Sequence, residues 1–122
     1  MESGFFTKEK MMIPLAFEFI GSALMVAAFE LSLVLPMMPY AFFLSWLLFA
    51  PISGCHLNPA ISVAVFIMEK NFKDSKMIMY LVLELIVQLC GCYLGILLSY
   101  LVMQPEFRSM MVLFPASAKY YF

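Results

Sequence analysis

Charge is what this chain has least of. From Leu31 to Met68 there are 38 residues without one aspartate, glutamate, lysine or arginine. Over the whole chain charged residues make up 12%, hydrophobic residues 65%, and mean hydropathy is +0.98. A soluble domain carries roughly 25% charged residues. At 122 residues this is one small domain, too small to hide so much apolar surface from water. Lipid is therefore the expected solvent. A basic cluster and an interleaved aromatic strip are also missing, and net charge is −1, so nothing points to nucleic acid. The three cysteines, Cys55, Cys90 and Cys92, form no CxxC pair and read as small apolar fillers. No nucleophile–base pair or metal-ligand cluster stands out, so an enzyme, a metal site or a bound cofactor is not expected. The single histidine, His56, has no second histidine, cysteine or acid near it in sequence, which argues against a proton relay or metal ligand there. A short apolar core followed by a cleavage site is lacking in "MESGFFTKEK", so no cleaved targeting peptide is expected.

What is present is a set of apolar segments. A spanning helix needs about 20 mostly apolar residues to cross about 30 Å of hydrocarbon. Residues 11–35 form the first candidate, interrupted only by Glu18 and Glu30. The prolines in "LPMMP" break it, and 38–52 follows as a second, aromatic-rich span ending near Pro51. The charged stretch "EKNFKDSK" must sit in water or headgroups. Residues 77–103 are the clearest span, with Glu84 as its one charge. Segments 1–10 and 104–122 flank this membrane region.

Residues 53–68 are too short to cross as a helix, yet carry no charge. Irregular backbone cannot face lipid, because each unpaired N–H or C=O costs several kcal/mol there. Re-entry resolves the conflict: the loop dips to mid-membrane and a half-helix returns to the same side. Asn58 is a strong N-cap residue and Pro59 suits the first helical position. Such a helix would place its partial positive end at mid-membrane. Lysine placement agrees. With re-entry, Lys8, Lys10, Lys70, Lys73 and Lys76 share one side, and Arg108 and Lys119 lie on the other. That pattern puts the N-terminus inside. The expected fold is an all-α membrane protein with three transmembrane helices plus one re-entrant half-helix.

Three stretches then carry a family likeness: "FEFIGSALMV" (17–26), "SGCHLNPAISVAV" (53–65) and "QLCG" (88–91). Together they resemble the aquaporin, or major intrinsic protein, family. The likeness covers about residues 12–103 and one NPA motif, the N-terminal half of an aquaporin-like fold. It implies that Gly54, Cys55, His56, Asn58, Pro59 and Ala60 line a pore or form its NPA loop. Asn58 would offer an amide N–H to passing water, and the carbonyls of residues 54–56 would accept. Glu18 and Gln88 would accept hydrogen bonds from loop N–H groups. The other reading of Glu18 is an acid snorkelling to the surface. On the last span Glu84, Gln88, Gly91, Gly95 and Ser99 fall on one stripe, and Gly91, Gly95 and Ser99 permit close helix packing. The family does not usually place an acid at Glu84; it reads as a contact to a partner or a water cavity, or as a neutral acid.

The departures from the family shape the functional expectation. An aquaporin joins two inverted halves around its pore, and this sequence shows one. A second NPA, its following arginine and a fifth-helix histidine are not found, and 104–122 reads as too short to supply them. Met38 stands where a filter aromatic is usual, Val87 precedes Gln88, and the stretch from Glu18 to Asn58 is short for the family. The expectation is a truncated, aquaporin-like, non-conducting structural or accessory subunit of a larger membrane complex. Other membrane subunits and lipid would cover its open face. The alternative is a half-channel that pairs with a second half to conduct water or a small neutral solute. Either is a multi-pass integral membrane protein, of an organellar inner membrane or the plasma membrane.

Overall fold

A computed structural model describes residues 8–32, 37–70 and 72–103. Residues 1–7, the end of the first expected span at 33–35, and the tail 104–122 lie outside that range. The described chain is four helices: α1 (Lys8–Leu31), α2 (Met37–Ser53), α3 (Pro59–Met68) and α4 (Ser75–Val102). No strand occurs among the described residues.

Each boundary has a local cause. Ser32 closes α1: its hydroxyl donates to the Ala28 carbonyl (2.7 Å) and accepts from Met38 N–H (3.0 Å), tying the start of α2 to the end of α1. Asn58 caps α3 with Oδ1 on Ala60 N–H (2.9 Å), and Pro59 follows at the first helical position. Lys70, in the left-handed region at φ 55°, turns the chain away just beyond the α3 C-cap, Glu69. Asp74 caps α4 through Lys76 N–H (2.9 Å). This cap starts α4 two residues before the apolar run, inside the charged stretch.

α1 lies between α2 and α4, with its most extensive packing on α4, and α3 rests on α4. The α1–α4 contact is close because Gly91 and Gly95 carry no side chain. A Cβ on Gly91 would strike the Phe19 carbonyl oxygen, and one on Gly95 the Ala23 carbonyl oxygen. The α1–α2 side holds an apolar cluster of Met25, Phe49, Cys55 and Leu57, with the Phe17 and Phe49 rings 5.3 Å apart. Gly21 leaves room there for the Leu57 side chain.

The distribution of polarity is inverted relative to a water-soluble bundle. The largest fully buried side chains are Gln88, Glu18, Ser22, Ser62 and Ser99. The outer surface carries Tyr93, Leu101, Phe43, Trp46 and many other large apolar groups. Water would penalise that exterior over its whole extent. Met11–Leu31 and Ser75–Val102 are long and apolar enough to cross a membrane. α2, with 17 residues, and α3, with 10, are apolar but shorter. At 1.5 Å per residue they reach only about 25 Å and about 15 Å.

Candidate functional site

The stretch 54–58 joins α2 to α3 without regular structure, and its backbone is unusual. Gly54 (φ 86°), Cys55 (φ 55°) and Leu57 (φ 50°) all lie in the left-handed region. Glycine reaches it freely, but Cys55 and Leu57 pay a steric cost, so surrounding contacts must hold them. Cys55 and Leu57 are buried in the apolar cluster beside α1.

The polar hold comes from Glu18 on α1, which is fully buried. Its Oε1 accepts from Ser53 Oγ (2.7 Å) and His56 N–H (3.0 Å). Its Oε2 accepts from Leu57 N–H (2.6 Å) and from Gln88 Nε2 (2.9 Å). One carboxylate thus takes four donors, two of them loop amides, which is how a buried acid is made tolerable. Ser53 extends the hold by accepting from Cys55 N–H (3.2 Å).

Gln88 acts differently from the sequence expectation. It bonds no loop amide among the described contacts; instead Nε2 donates to Glu18 and to Ser62 Oγ (2.9 Å). Gly54 N–H goes to the Ala50 carbonyl, Cys55 N–H to Ser53, and His56 and Leu57 N–H to Glu18, so the amide of Gln88 serves to brace Glu18 and to join α4 to α3. Its Oε1 is buried without a partner.

His56 is not isolated. Its Nδ1 lies 2.8 Å from Glu84 Oε1 and 3.2 Å from Ser62 Oγ. Ser62 donates to the same Glu84 oxygen (3.0 Å). With Nδ1 turned to the Glu84 carboxyl, His56 and Glu84 form a paired group between the loop and α4. Glu84 of α4 thus sits against the loop and α3. Sequence reasoning missed this pair because its members are 28 residues apart. One signal could have found it: Glu84 is one helical turn before Gln88, so it shares the face that meets the loop. Ser53 and Ser62 were also missed. Ser62 is the one polar side chain in "PAISVAVFIM" and sits one turn beyond Asn58.

Asn58 itself is exposed. Its Oδ1 is used on Ala60, which leaves the NH₂ outside the described hydrogen bonds. With His56, Leu57, Pro59 and Ile61 it borders a cavity whose other wall includes Met25, Phe29, Met38 and Phe42. Gly54 and Ala60 are exposed, and Pro59 is half-buried. Of the α4 stripe, Glu84, Gln88, Gly91, Gly95 and Ser99 are all buried. Ser99 turns its hydroxyl back to the Gly95 carbonyl (2.6 Å). No group of three or more potential metal ligands occurs among the described residues.

A sequence model of the family described as Major intrinsic protein matches residues 11–120. No curated protein and no solved structure matches the chain.

Proposed function

The chain belongs to the major intrinsic protein family, and we propose that it serves in the membrane as a structural subunit carrying one half of a channel wall. Members of this family are integral membrane channels, not enzymes. In this reading α1, α2 and α4 cross the bilayer, with α2 completed at its ends by interfacial contacts. The loop 54–58 and α3 re-enter from the side of Lys70, Lys73 and Lys76. Support for re-entry comes from the irregular backbone at 54–58, which is held by buried side chains of α1 and α4 rather than left to lipid.

The observation that carries the proposal is the exposure of Asn58 beside an open cavity. Its amide donors would face hydrocarbon if nothing covered them, at a cost of several kcal/mol. A membrane partner presenting polar groups to this face would satisfy them, since the described wall across the cavity, Met25, Phe29, Met38 and Phe42, is apolar. The second reading, a half-channel, is favoured by the same amide: with the loop carbonyls it could exchange hydrogen bonds with water once a second half is supplied.

Two measurements test the proposal. Cysteine labelling in sealed vesicles is expected to reach positions 8 and 73 from the same side; labelling from opposite sides would exclude re-entry. Reconstituted alone, the chain is expected to leave osmotic water permeability at the level of empty liposomes in stopped-flow light scattering. Fast water flux from the single chain, lost in Asn58→Asp, would overturn the structural role and mean that copies close a pore together.

A further inference from the structure

We propose that the cavity between α3 and α4 is a binding site for an alkylammonium group, whether of a small amine or of a lipid headgroup. This cavity shares only His56 with the one beside Asn58, so the inference does not depend on conduction. At its floor is Glu84, 4% exposed, with Oε1 already bonded to His56 and Ser62. Its Oε2 takes none of the described hydrogen bonds, and Glu84 lines the cavity.

His56 lines the same cavity with its Nδ1 held by Glu84, and the exposed Glu69 borders it. The Tyr80 hydroxyl can accept as well. No lysine or arginine is among the lining residues. A guest that satisfies Glu84 Oε2 must donate a hydrogen bond, and a positive charge on it complements the carboxyl group. Ile52, Phe66 and Leu81 supply an apolar wall, which suits a short alkyl stem behind the ammonium. The cavity is bordered by Glu69 and Met77, so it opens towards the charged stretch between α3 and α4. An amine can enter there without crossing hydrocarbon.

The single histidine of the chain makes the test direct. The purified full chain, labelled with ¹³C-histidine, is titrated at constant pH with n-butylammonium and, separately, with n-butanol. Butylammonium is expected to move the His56 Cε1–H resonance saturably, and butanol is expected not to. Glu84→Gln should abolish the response. No saturable shift in the unaltered chain, an equal shift with butanol, or a response retained in folded Glu84→Gln would overturn the proposal. Nanodiscs distinguish the source. A displaced resonance in phosphatidylethanolamine relative to phosphatidylcholine, whose quaternary nitrogen has no N–H, identifies the lipid amine. A shift seen only on adding butylammonium identifies a free amine.

Discussion

Glu18→Ala is expected to destabilise the chain by about 4 kcal/mol or more, since each buried donor left unpaired costs about 1–3 kcal/mol. Four donors lose Glu18 at once: His56 N–H and Leu57 N–H, which have no other described acceptor, and Ser53 Oγ and Gln88 Nε2, which keep only Phe49 and Ser62. The left-handed residues Cys55 and Leu57 lose the contacts that hold them, so the loop should come out of place as a unit. Glu18→Gln should fail nearly as badly despite its similar shape. All four partners donate, and one end of a glutamine side chain is itself a donor. Whichever way the amide turns, it faces a backbone N–H that has nowhere else to go. Glu30 provides the contrast. The structure buries it to 4% exposure, with Oε2 unpartnered. Tolerance is expected there, because Glu30→Gln breaks none of the described hydrogen bonds. Equilibrium unfolding in detergent compares the three variants. Equal losses at positions 18 and 30 would contradict the socket role of Glu18.

The second large effect is expected at Gly91 and Gly95. An added methyl at either position meets a carbonyl of α1, and a backbone carbonyl cannot swing aside as a side chain can. Gly91→Ala and Gly95→Ala should each cost about 1–3 kcal/mol by overpacking. Gly91→Leu should separate α1 from α4 and pull Gln88 away from Glu18. Leu97→Ala, on the exposed face of α4, is the control and should change little in the bundle. Disulfide trapping between cysteines placed on α1 and α4 reads the separation; unchanged trapping in Gly91→Leu would show that the helices do not need the glycines.

Much of this arrangement is legible in the sequence where a strong local signal exists. Asn58–Pro59 marks the start of a short helix because cap and first-turn chemistry are local. The α4 stripe of Glu84, Gln88, Gly91, Gly95 and Ser99 follows from helical spacing alone, and all five are buried. The start of α4 is less legible. Asp74 caps it from within a stretch whose charge otherwise reads as loop. Hardest to read is which acid meets which donor. Glu18 could be placed near the loop only through the family likeness, and Glu84 was left without a partner. Both pairings depend on tertiary approach: helical spacing puts Glu84 on the Gln88 face but does not name the donor it meets.

The bracing amide of Gln88 has a consequence for the order in which the molecule can assemble. It bonds Glu18, 70 residues earlier, and Ser62, 26 residues earlier. A ribosome delivers α1, α2, the loop and α3 before any of α4 emerges. Until α4 joins α1, Ser62 lacks both Gln88 and Glu84, and His56 lacks its acid. Glu18 of α1 can take the loop amides first, but the polar contacts of His56 and Ser62 are completed only when α4, the last of the described helices, is in place.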